Sequence, residues 1–185
     1  MSRAHNPLTD HHALQAISLV GAHLVDTMDH PLDEEPRLYM AQAALEAGLA
    51  FTNAILGAAH AMSHQVGGLL DLPHGVINGV LLPHVIRFNA AADPGRFVPI
   101  AQALGLPGAV APDSEAGAAE AAEWAAAEVR RLAAELGVPR GLAEIGVTEA
   151  DVPKLAAMTM VDACLSTNPR EADAADIDAL FRLAL

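Results

Sequence analysis

Apolar residues recur every three or four positions along most of this chain, which is the spacing of one face of an α-helix. The stripe nearest the start consists of Leu14, Ile17, Val20, Leu24 and Val25. Asn6-Pro7 precedes it, and a polar cap followed by proline favours a helix start. A second helical pattern covers residues 36–65, most of which are small and uncharged. About thirty helical residues would extend ~45 Å, so we expect a bend or break near Gly48 or Gly57.

Glycine and proline divide the remainder of the chain into shorter elements. Gly67-Gly68 and Pro73 predict a break after the second helix, and Pro83 predicts the end of the next apolar helix or a kink in it. A loop is predicted over residues 105–113, where glycine and proline cluster. Further helices are predicted over residues 94–104, 114–136, 142–145, 148–165 and 175–183. No repeat or internal boundary interrupts this pattern, so we expect one helical domain over residues 1–185.

The composition supports an all-α fold and narrows the classes of function. Apolar residues make up 52% of the chain but aromatic residues only 3%, so the residue types that strands prefer are scarce. A net charge of -13 argues against nucleic acids and acidic membrane surfaces as partners. The chain lacks an apolar run of about 18 residues and begins with residues too polar for a signal peptide. With a single cysteine, Cys164, these features lead us to expect a cytoplasmic protein with no membrane or nucleic-acid partner.

Three histidines near the end of the second helix carry the strongest chemical signal in the chain. His60 and His64 are four residues apart and therefore lie on the same face of a helix, and His74 follows ten residues later. Two imidazoles from a helix and one from the next turn can converge on one divalent metal ion. The alternative is that the three lie by chance along an alanine-rich surface, since the chain contains nine histidines.

Several common catalytic motifs are absent from the sequence. Ala61 occupies the position of the general-base glutamate in the HExxH motif, so the pattern is not that of a zinc protease. The chain has no GxSxG, P-loop, GxGxxG or CxxC motif. We therefore expect no dinucleotide to bind to this chain alone, and a metal site is the chemistry that remains.

The sequence around the three histidines is similar to that of one known family. It runs Gly57-Ala-Ala-His60-Ala-Met-Ser-His64-Gln-Val-Gly67-Gly68-Leu-Leu-Asp71-Leu-Pro73-His74-Gly75-Val-Ile-Asn78-Gly-Val-Leu-Leu-Pro83-His84-Val. This segment resembles the iron-containing (group III) alcohol dehydrogenases. Similar segments elsewhere are Asn6-Pro7-Leu-Thr-Asp10, Ala50-Phe51-Thr-Asn53 and Cys164-Leu-Ser-Thr167-Asn168-Pro169-Arg170. Essentially the whole chain resembles the C-terminal helical domain of that family, which implies an all-α, multi-helix, metal-binding domain.

The resemblance implies a role for several residues. It makes His60 and His74 metal ligands, which differs from the three-ligand arrangement that spacing alone suggests. It places His64 against the nicotinamide and the substrate, as a catalytic residue that relays a proton and contacts the cofactor. The cleft in which substrate and nicotinamide meet would be lined by Phe51, Leu56 and Cys164, the last of these on the cofactor side.

In the family, this helical domain is paired with an N-terminal α/β domain that binds NAD or NADP. The metal there takes four protein ligands, and the other two, an aspartate and a histidine four residues later, precede the point at which this sequence begins. We therefore expect this chain to hold Fe²⁺ or Zn²⁺ weakly and to bind NAD or NADP only with the missing domain. Asp26 and His30 have the same spacing, but they align with an inter-helix loop and we do not expect them to substitute.

Two functions remain open on this basis. The first is the metal-binding half of an NAD(P)-dependent alcohol dehydrogenase, which interconverts a small alcohol and an aldehyde by hydride transfer. Such a half would be inactive alone or completed in trans by the complementary nucleotide-binding domain. The second is a non-catalytic helical module that self-associates or binds a partner through the face that the missing domain would cover. The choice of alcohol, of iron or zinc, and of NAD or NADP also stays open.

Overall fold

The computed structural model describes residues 2–107 and 114–185. Within these ranges the chain folds into eight α-helices and three short 3₁₀ segments, without a β-strand. The α-helices are α1 (Pro7–Asp29), α2 (Glu34–Ala54), α3 (Ala58–Leu70), α4 (His74–Ala90), α5 (Phe97–Ala103), α6 (Glu115–Glu135), α7 (Val152–Thr159) and α8 (Ala174–Ala184). The 3₁₀ segments are Pro94–Arg96, Leu142–Ile145 and Ala163–Thr167. The all-α fold predicted from the sequence is confirmed, while most of the loop predicted over residues 105–113 lies outside the described residues.

The first helix begins where the sequence predicts it. The Asn6 side chain accepts hydrogen bonds from the backbone N–H groups of Leu8 and Thr9. The Thr9 hydroxyl accepts one from the Asn6 N–H, which completes a capping box. This arrangement satisfies N–H groups that the first helical turn leaves unpaired. α1 then packs along α2, where His12 of α1 lies 2.5 Å from the Glu46 carboxylate of α2.

The break predicted in the long second helix lies next to Gly57. α2 ends at Ala54 and α3 begins at Ala58, and we refer to residues 55–57 as the α2–α3 bend. Ile55 in this bend has a φ of 59° and a ψ of -166°. Steric contacts make that combination rare for a β-branched residue, so the bend is held by more than local preference.

Three side chains that are distant in sequence hold the α2–α3 bend. Ser2 Oγ donates a hydrogen bond to the last carbonyl of α2. Thr167 Oγ1 donates to the Leu56 carbonyl at 2.8 Å. Asn168 Oδ1 accepts the Ala58 N–H at 3.0 Å, which caps α3 from outside because the residue before this helix is a glycine without a capping side chain.

The predicted break before His74 is confirmed at residues 71–73, but the helix before it does not end at Gly67-Gly68 and the helix after it does not end at Pro83. α3 continues through Gly67-Gly68 to Leu70 and ends at Asp71, whose backbone is left-handed with a φ of 52°. α4 likewise continues across Pro83, which is itself buried. A glycine inside a helix costs only about 1 kcal/mol. Burial of the apolar side chains on these helices outweighs that cost and the hydrogen bond lost at proline.

The helix predicted over residues 148–165 is shorter than expected. The Asp151 carboxylate accepts hydrogen bonds from the Thr148 N–H at 2.9 Å and from the Thr148 hydroxyl at 2.6 Å, so this stretch is a turn that precedes α7. After α7 a separate 3₁₀ turn begins, and Asp162 caps it by accepting the Cys164 N–H at 2.9 Å. The predicted single helix is therefore a turn, a short helix and a 3₁₀ segment.

The main core lies where α3, α4, α7 and α8 meet. Its large buried side chains include Met62, Val66, Ile77, Leu81, Leu155, Ile177 and Phe181. Alanines make up most of the buried face of α6, which packs against α4 and α5. α3 therefore anchors one face in the core and leaves His60 half-buried and His64 exposed. Among residues 2–107 and 114–185, no helix has the length and apolarity needed to span a lipid bilayer.

Candidate functional site

The connection between α3 and α4 brings the three predicted histidines together. The ring centroids of His60 and His74 lie 5.1 Å apart, and those of His64 and His74 lie 5.3 Å apart. The centroids of His60 and His64 are 6.2 Å apart. His60 is half-buried, whereas His64 and His74 are exposed. The three imidazoles thus form one cluster that is open to solvent above the main core.

The separation of His60 and His74 fits two ligands of a single metal ion. With metal–nitrogen bonds of about 2.1 Å and a tetrahedral angle, two coordinated imidazole rings have centroids about 5 Å apart. The His60–His74 distance of 5.1 Å and the His64–His74 distance of 5.3 Å both match this value, whereas the His60–His64 distance of 6.2 Å exceeds it. The ring separations therefore admit either His60 or His64 as the partner of His74. Imidazole nitrogen binds both iron and zinc, so the donor type is suitable for either metal. The ligand roles of His60 and His74 and the catalytic role of His64 stay predictions.

Both candidate ligands are uncharged at neutral pH. Burial, reinforced by the charges of His74 and His64, lowers the pKa of His60 to about 4. Burial and then the charge of His64 also lower the pKa of His74. A neutral imidazole keeps the lone pair that a metal ion needs, so neither ring has to lose a proton before it binds.

Ser63 orients the His74 ring. Its buried hydroxyl lies 3.1 Å from the His60 carbonyl oxygen and 3.3 Å from His74 Nδ1. Because the hydroxyl donates its proton to the carbonyl, it accepts the Nδ1–H of His74. The Nε2 lone pair of His74 is then free, which is the tautomer that a metal ligand bound through Nε2 requires.

Asp162 is a polar residue of this region that sequence reasoning missed. Its Oδ2 lies 3.0 Å from His64 Nδ1 and 3.1 Å from Gln65 Nε2, and its Oδ1 accepts the Cys164 N–H. Burial raises the pKa of Asp162, but the hydrogen bonds from Cys164 and His64 outweigh burial and lower it overall. The ionised carboxylate accepts the Nδ1–H of His64 and leaves Nε2 of that ring open. The one feature of the sequence that points to Asp162 is its position two residues before Cys164, a predicted cleft residue.

The predicted cleft residues border this region through the α2–α3 bend. Phe51 is exposed one helical turn before the bend, and Leu56 is half-buried within it. Thr167 ties Leu56 to the 3₁₀ segment that carries Cys164. Burial, with the charge of Asp162 adding to it, raises the pKa of the Cys164 thiol, so this thiol is protonated at neutral pH. Leu56 and Cys164 therefore lie on segments that contact each other.

A buried pair of asparagines anchors the start of α3. Asn168 is 1% exposed, and its Nδ2 donates to Asn89 Oδ1 and to the Arg170 carbonyl, each at 2.7 Å. Its Oδ1 accepts from the Ala58 N–H at 3.0 Å and from Asn89 Nδ2 at 3.2 Å. Since His60 lies two residues after Ala58, this network positions the first candidate ligand.

Asp26 and His30, which have the four-residue spacing of an aspartate–histidine ligand pair, form a hydrogen bond with each other. Asp26 and His30 lie at the end of α1, both exposed, with a carboxylate-to-Nδ1 distance of 2.9 Å. The hydrogen bond from His30 and the charge of Asp26 raise the pKa of His30, which favours the protonated ring. A protonated imidazole has no lone pair for a metal, so Asp26 and His30 are a poor pair of metal ligands.

The chain matches a known family along its full length. A family model described as Fe-containing alcohol dehydrogenase family, C-terminal, matches residues 1–185. The chain belongs to the iron-containing alcohol dehydrogenase family. It corresponds to the C-terminal part of these alcohol dehydrogenases, which confirms the resemblance inferred from the histidine segment.

Relatives in the iron-containing alcohol dehydrogenase family are similar to the whole of this chain. The chain is 43% identical to the 1,3-propanediol dehydrogenase of Klebsiella pneumoniae, and the match covers 100% of the chain and 46% of that protein. It is 40% identical to the NAD-dependent methanol dehydrogenase of Bacillus methanolicus, with 100% and 47% covered. The chain thus spans about half the length of the curated relatives it matches.

Solved structures of this family share the fold. A 1,3-propanediol oxidoreductase superposes with a TM-score of 0.93 at 43% identity, covering 100% of this chain and 47% of the other. A sulfoacetaldehyde reductase from Bifidobacterium kashiwanohense, in complex with NAD⁺, gives a TM-score of 0.84 at 27% identity, covering 99% and 45%. The family description and these relatives support a metal and NAD as cofactors within the family.

Proposed function

We propose that this chain is the metal-binding helical half of an NAD(P)-dependent alcohol dehydrogenase and that His60 and His74 are two of the metal's ligands. The observation that carries the proposal is the 5.1 Å separation of two neutral imidazoles, one within α3 and one at the start of α4. His64 lies at a similar 5.3 Å from His74, and the resemblance to the family selects His60 as the second ligand. Family membership supports the reaction class, because relatives are named as dehydrogenases of methanol and 1,3-propanediol. The substrate would be a small alcohol or aldehyde, and activity would need a nucleotide-binding domain in addition to this chain.

Two imidazoles leave the coordination of a metal incomplete. Catalytic zinc sites usually have three protein ligands and a fourth position for water or substrate. Fe²⁺ or Zn²⁺ would therefore bind weakly to this chain alone, and further ligands would come from the complementary domain. A metal held by His60 and His74 would supply Lewis acidity toward the alcohol oxygen, and NAD(P) on the complementary domain would supply the hydride-transfer chemistry.

The residues of this chain would orient the ligands and move a proton. Ser63 holds the His74 ring with Nε2 free for the metal. Asp162 accepts the Nδ1–H of His64 and so presents the Nε2 of that ring to the cleft. His64 would take up a proton at Nε2, and the Asp162 carboxylate would stabilise the resulting imidazolium. The first role depends on the hydrogen bond between Ser63 and His74, and the second on the hydrogen bond between Asp162 and His64.

Exposed apolar side chains on the segments next to the site indicate where a partner would bind. The most relevant are Phe51, Ile55, Met158 and Val161. They lie on α2, the α2–α3 bend, α7 and the turn after α7, and a contiguous apolar patch formed by them would be a binding face of the usual kind. We propose that this face contacts the complementary nucleotide-binding domain. Phe51 and Leu56 would then line the substrate cleft, and Cys164 would face the nicotinamide.

The test is to supply the complementary domain as a separate polypeptide and to measure metal binding and alcohol-dependent reduction of NAD and NADP. His60→Ala and His74→Ala should each abolish activity and weaken metal binding, while His64→Ala should retain the metal but impair turnover. His11→Ala, at an exposed position of α1, is the matched control and should change neither. Full activity of His60→Ala would contradict the ligand assignment. Equal metal loss in all three site variants would favour the three-ligand arrangement instead.

The isolated chain should reduce neither NAD nor NADP. Turnover by the pure chain that responds to chelation and metal re-addition would refute the proposal that it is half an enzyme. A module that only self-associates would instead sediment as a dimer and would not bind the complementary domain. Phe51→Asp should weaken either association, because it places a charge on the apolar face.

A further inference from the structure

A second set of metal-binding side chains lies beside the imidazole cluster. Among residues 2–107 and 114–185, one group of three such side chains has all its donor atoms within 4.8 Å of one another, and it consists of His64, Asp162 and Cys164. His64 belongs to α3, whereas Asp162 and Cys164 lie at the start of the last 3₁₀ segment. The group contains neither His60 nor His74.

We infer that His64, Asp162 and Cys164 bind a divalent cation of the Zn²⁺ type at a site separate from the His60–His74 pair. One imidazole, one carboxylate and one thiolate are donors that Zn²⁺ and Co²⁺ accept, with water in the fourth position. Donor atoms around such an ion lie about 3.3–3.7 Å apart, so the group has to close by about 1 Å at its widest.

Asp162 is already held in an orientation suited to binding. Its side chain is only 14% exposed, and its one ion pair among the described residues is the contact with His64 Nδ1 at 3.0 Å. Gln65 donates to the same carboxylate oxygen, and the Cys164 amide donates to the other. Such hydrogen bonds fix a carboxylate while leaving lone pairs free for a metal, as partners of metal ligands commonly do.

Protons and charge balance in this binding step. The cation takes the place of the Nδ1 proton of His64, and that proton passes through solvent to Nε2 of the same ring, so the imidazole stays neutral. The Cys164 thiol loses its proton to solvent as the S–metal bond forms. One dipositive ion then meets one carboxylate and one thiolate, so the bound site carries no net charge and one proton is released.

Occupation of this site would remove His64 from proton transfer, because its Nδ1 would be bound to the cation and no longer to Asp162. Excess Zn²⁺ would then inhibit the completed dehydrogenase while the metal at His60 and His74 stays in place. This inhibitory consequence rests on the proposed function, whereas the cation site itself does not.

Titration of the purified chain with Co²⁺ tests the site directly. A thiolate bound to Co²⁺ gives an intense ultraviolet charge-transfer absorption, and Cys164 is the single cysteine of the sequence. We expect this absorption in the unaltered chain and its loss in Cys164→Ser. Asp162→Asn and His64→Ala should lower the Co²⁺ affinity about 10–100-fold. His60→Ala and His74→Ala should leave the absorption unchanged.

Matched controls separate loss of the site from loss of the fold. Ser166→Ala, at an exposed position of the same 3₁₀ segment, should keep both the absorption and the circular dichroism of the unaltered chain. Co²⁺ binding without the thiolate absorption, or loss of that absorption in a folded His60→Ala variant, would overturn the inference. Zn²⁺ inhibition of the completed enzyme that persists in Cys164→Ser would do the same. An inactive completed enzyme with the absorption intact would count against the dehydrogenase function alone.

Discussion

Replacement of Asn168 by alanine is the most direct test of how α3 is positioned. The Asn168 side chain is almost fully buried and takes part in four hydrogen bonds, with the Ala58 N–H, the Arg170 carbonyl and both ends of the Asn89 amide. Asn168→Ala removes all four and leaves the partner groups in a region with little access to solvent. The loss of stability should therefore be large, although the Asn168 side chain is small and mostly polar.

The magnitude follows from the groups left without a partner. A buried polar group that loses its hydrogen bond costs about 1–3 kcal/mol. Four polar groups on three residues lose partners here, and water that enters the vacated space would restore part of the bonding. We expect Asn168→Ala to lower the free energy of unfolding by about 3–4 kcal/mol, near the upper end for single substitutions.

Urea unfolding of the unaltered chain and of both variants, followed by circular dichroism, measures this difference. Asn53→Ala is the matched control, because Asn53 is exposed and its Nδ2 donates only to a carbonyl one turn back, at Leu49. The control should change stability by less than about 0.5 kcal/mol. If Asn168→Ala and Asn53→Ala lie within about 1 kcal/mol of each other, the asparagine network does not anchor α3 and the reasoning fails.

Other predictions concern single residues. Folding lowers the pKa of His60 from 6.5 to about 4, so the unfolded chain binds more protons than the folded chain between these pH values. The part of the free energy of unfolding that depends on a neutral His60 is therefore fully present above pH 6.5 and is lost as the pH falls toward 4. His60→Gln should flatten that pH dependence in urea unfolding, and an unchanged slope would contradict it. A Cβ at Gly141 would overlap the carbonyl of Leu185, whereas Gly68 in α3 has open space around it. Gly141→Ala should destabilise the chain by about 1–3 kcal/mol and Gly68→Ala should stabilise it by up to about 1 kcal/mol, as thermal unfolding would show; equal effects would refute the packing argument.

Features that depend on neighbouring residues were predicted well. The start of α1 at Asn6 and the end of α6 near Gly137 rest on hydrogen bonds and backbone angles within a few residues, which the sequence displays directly. The same local logic does not locate the ends of α3 and α4, which lie beyond Gly67-Gly68 and beyond Pro83, because burial against other helices decides both. Local signals for a break are weak compared with a helix face that fills the core.

The candidate site was predicted only in part, because some of its contacts join residues that are far apart in the sequence. Spacing placed His60 and His64 on one helix face and suggested His74 as a third ligand, and the resemblance to a family added Phe51, Leu56 and Cys164. The contribution of Asp162 was not predicted, because its contact with His64 joins residues 98 apart in the sequence. Such a contact has no periodic signature, and a lone aspartate before a cysteine has many alternative uses.

The cap on α3 has a consequence for the order in which this protein is made. Asn168 leaves the ribosome 110 residues after Ala58, the residue whose N–H it accepts. At about 5–20 residues per second, translation separates the two by about 5–20 s. During that interval His60 and His64 are already synthesised, but the start of the helix that carries them is not yet anchored. We therefore expect the nascent chain to bind metal poorly until Asn168 has left the ribosome, so the imidazole cluster is completed well after the helix that carries it has been synthesised.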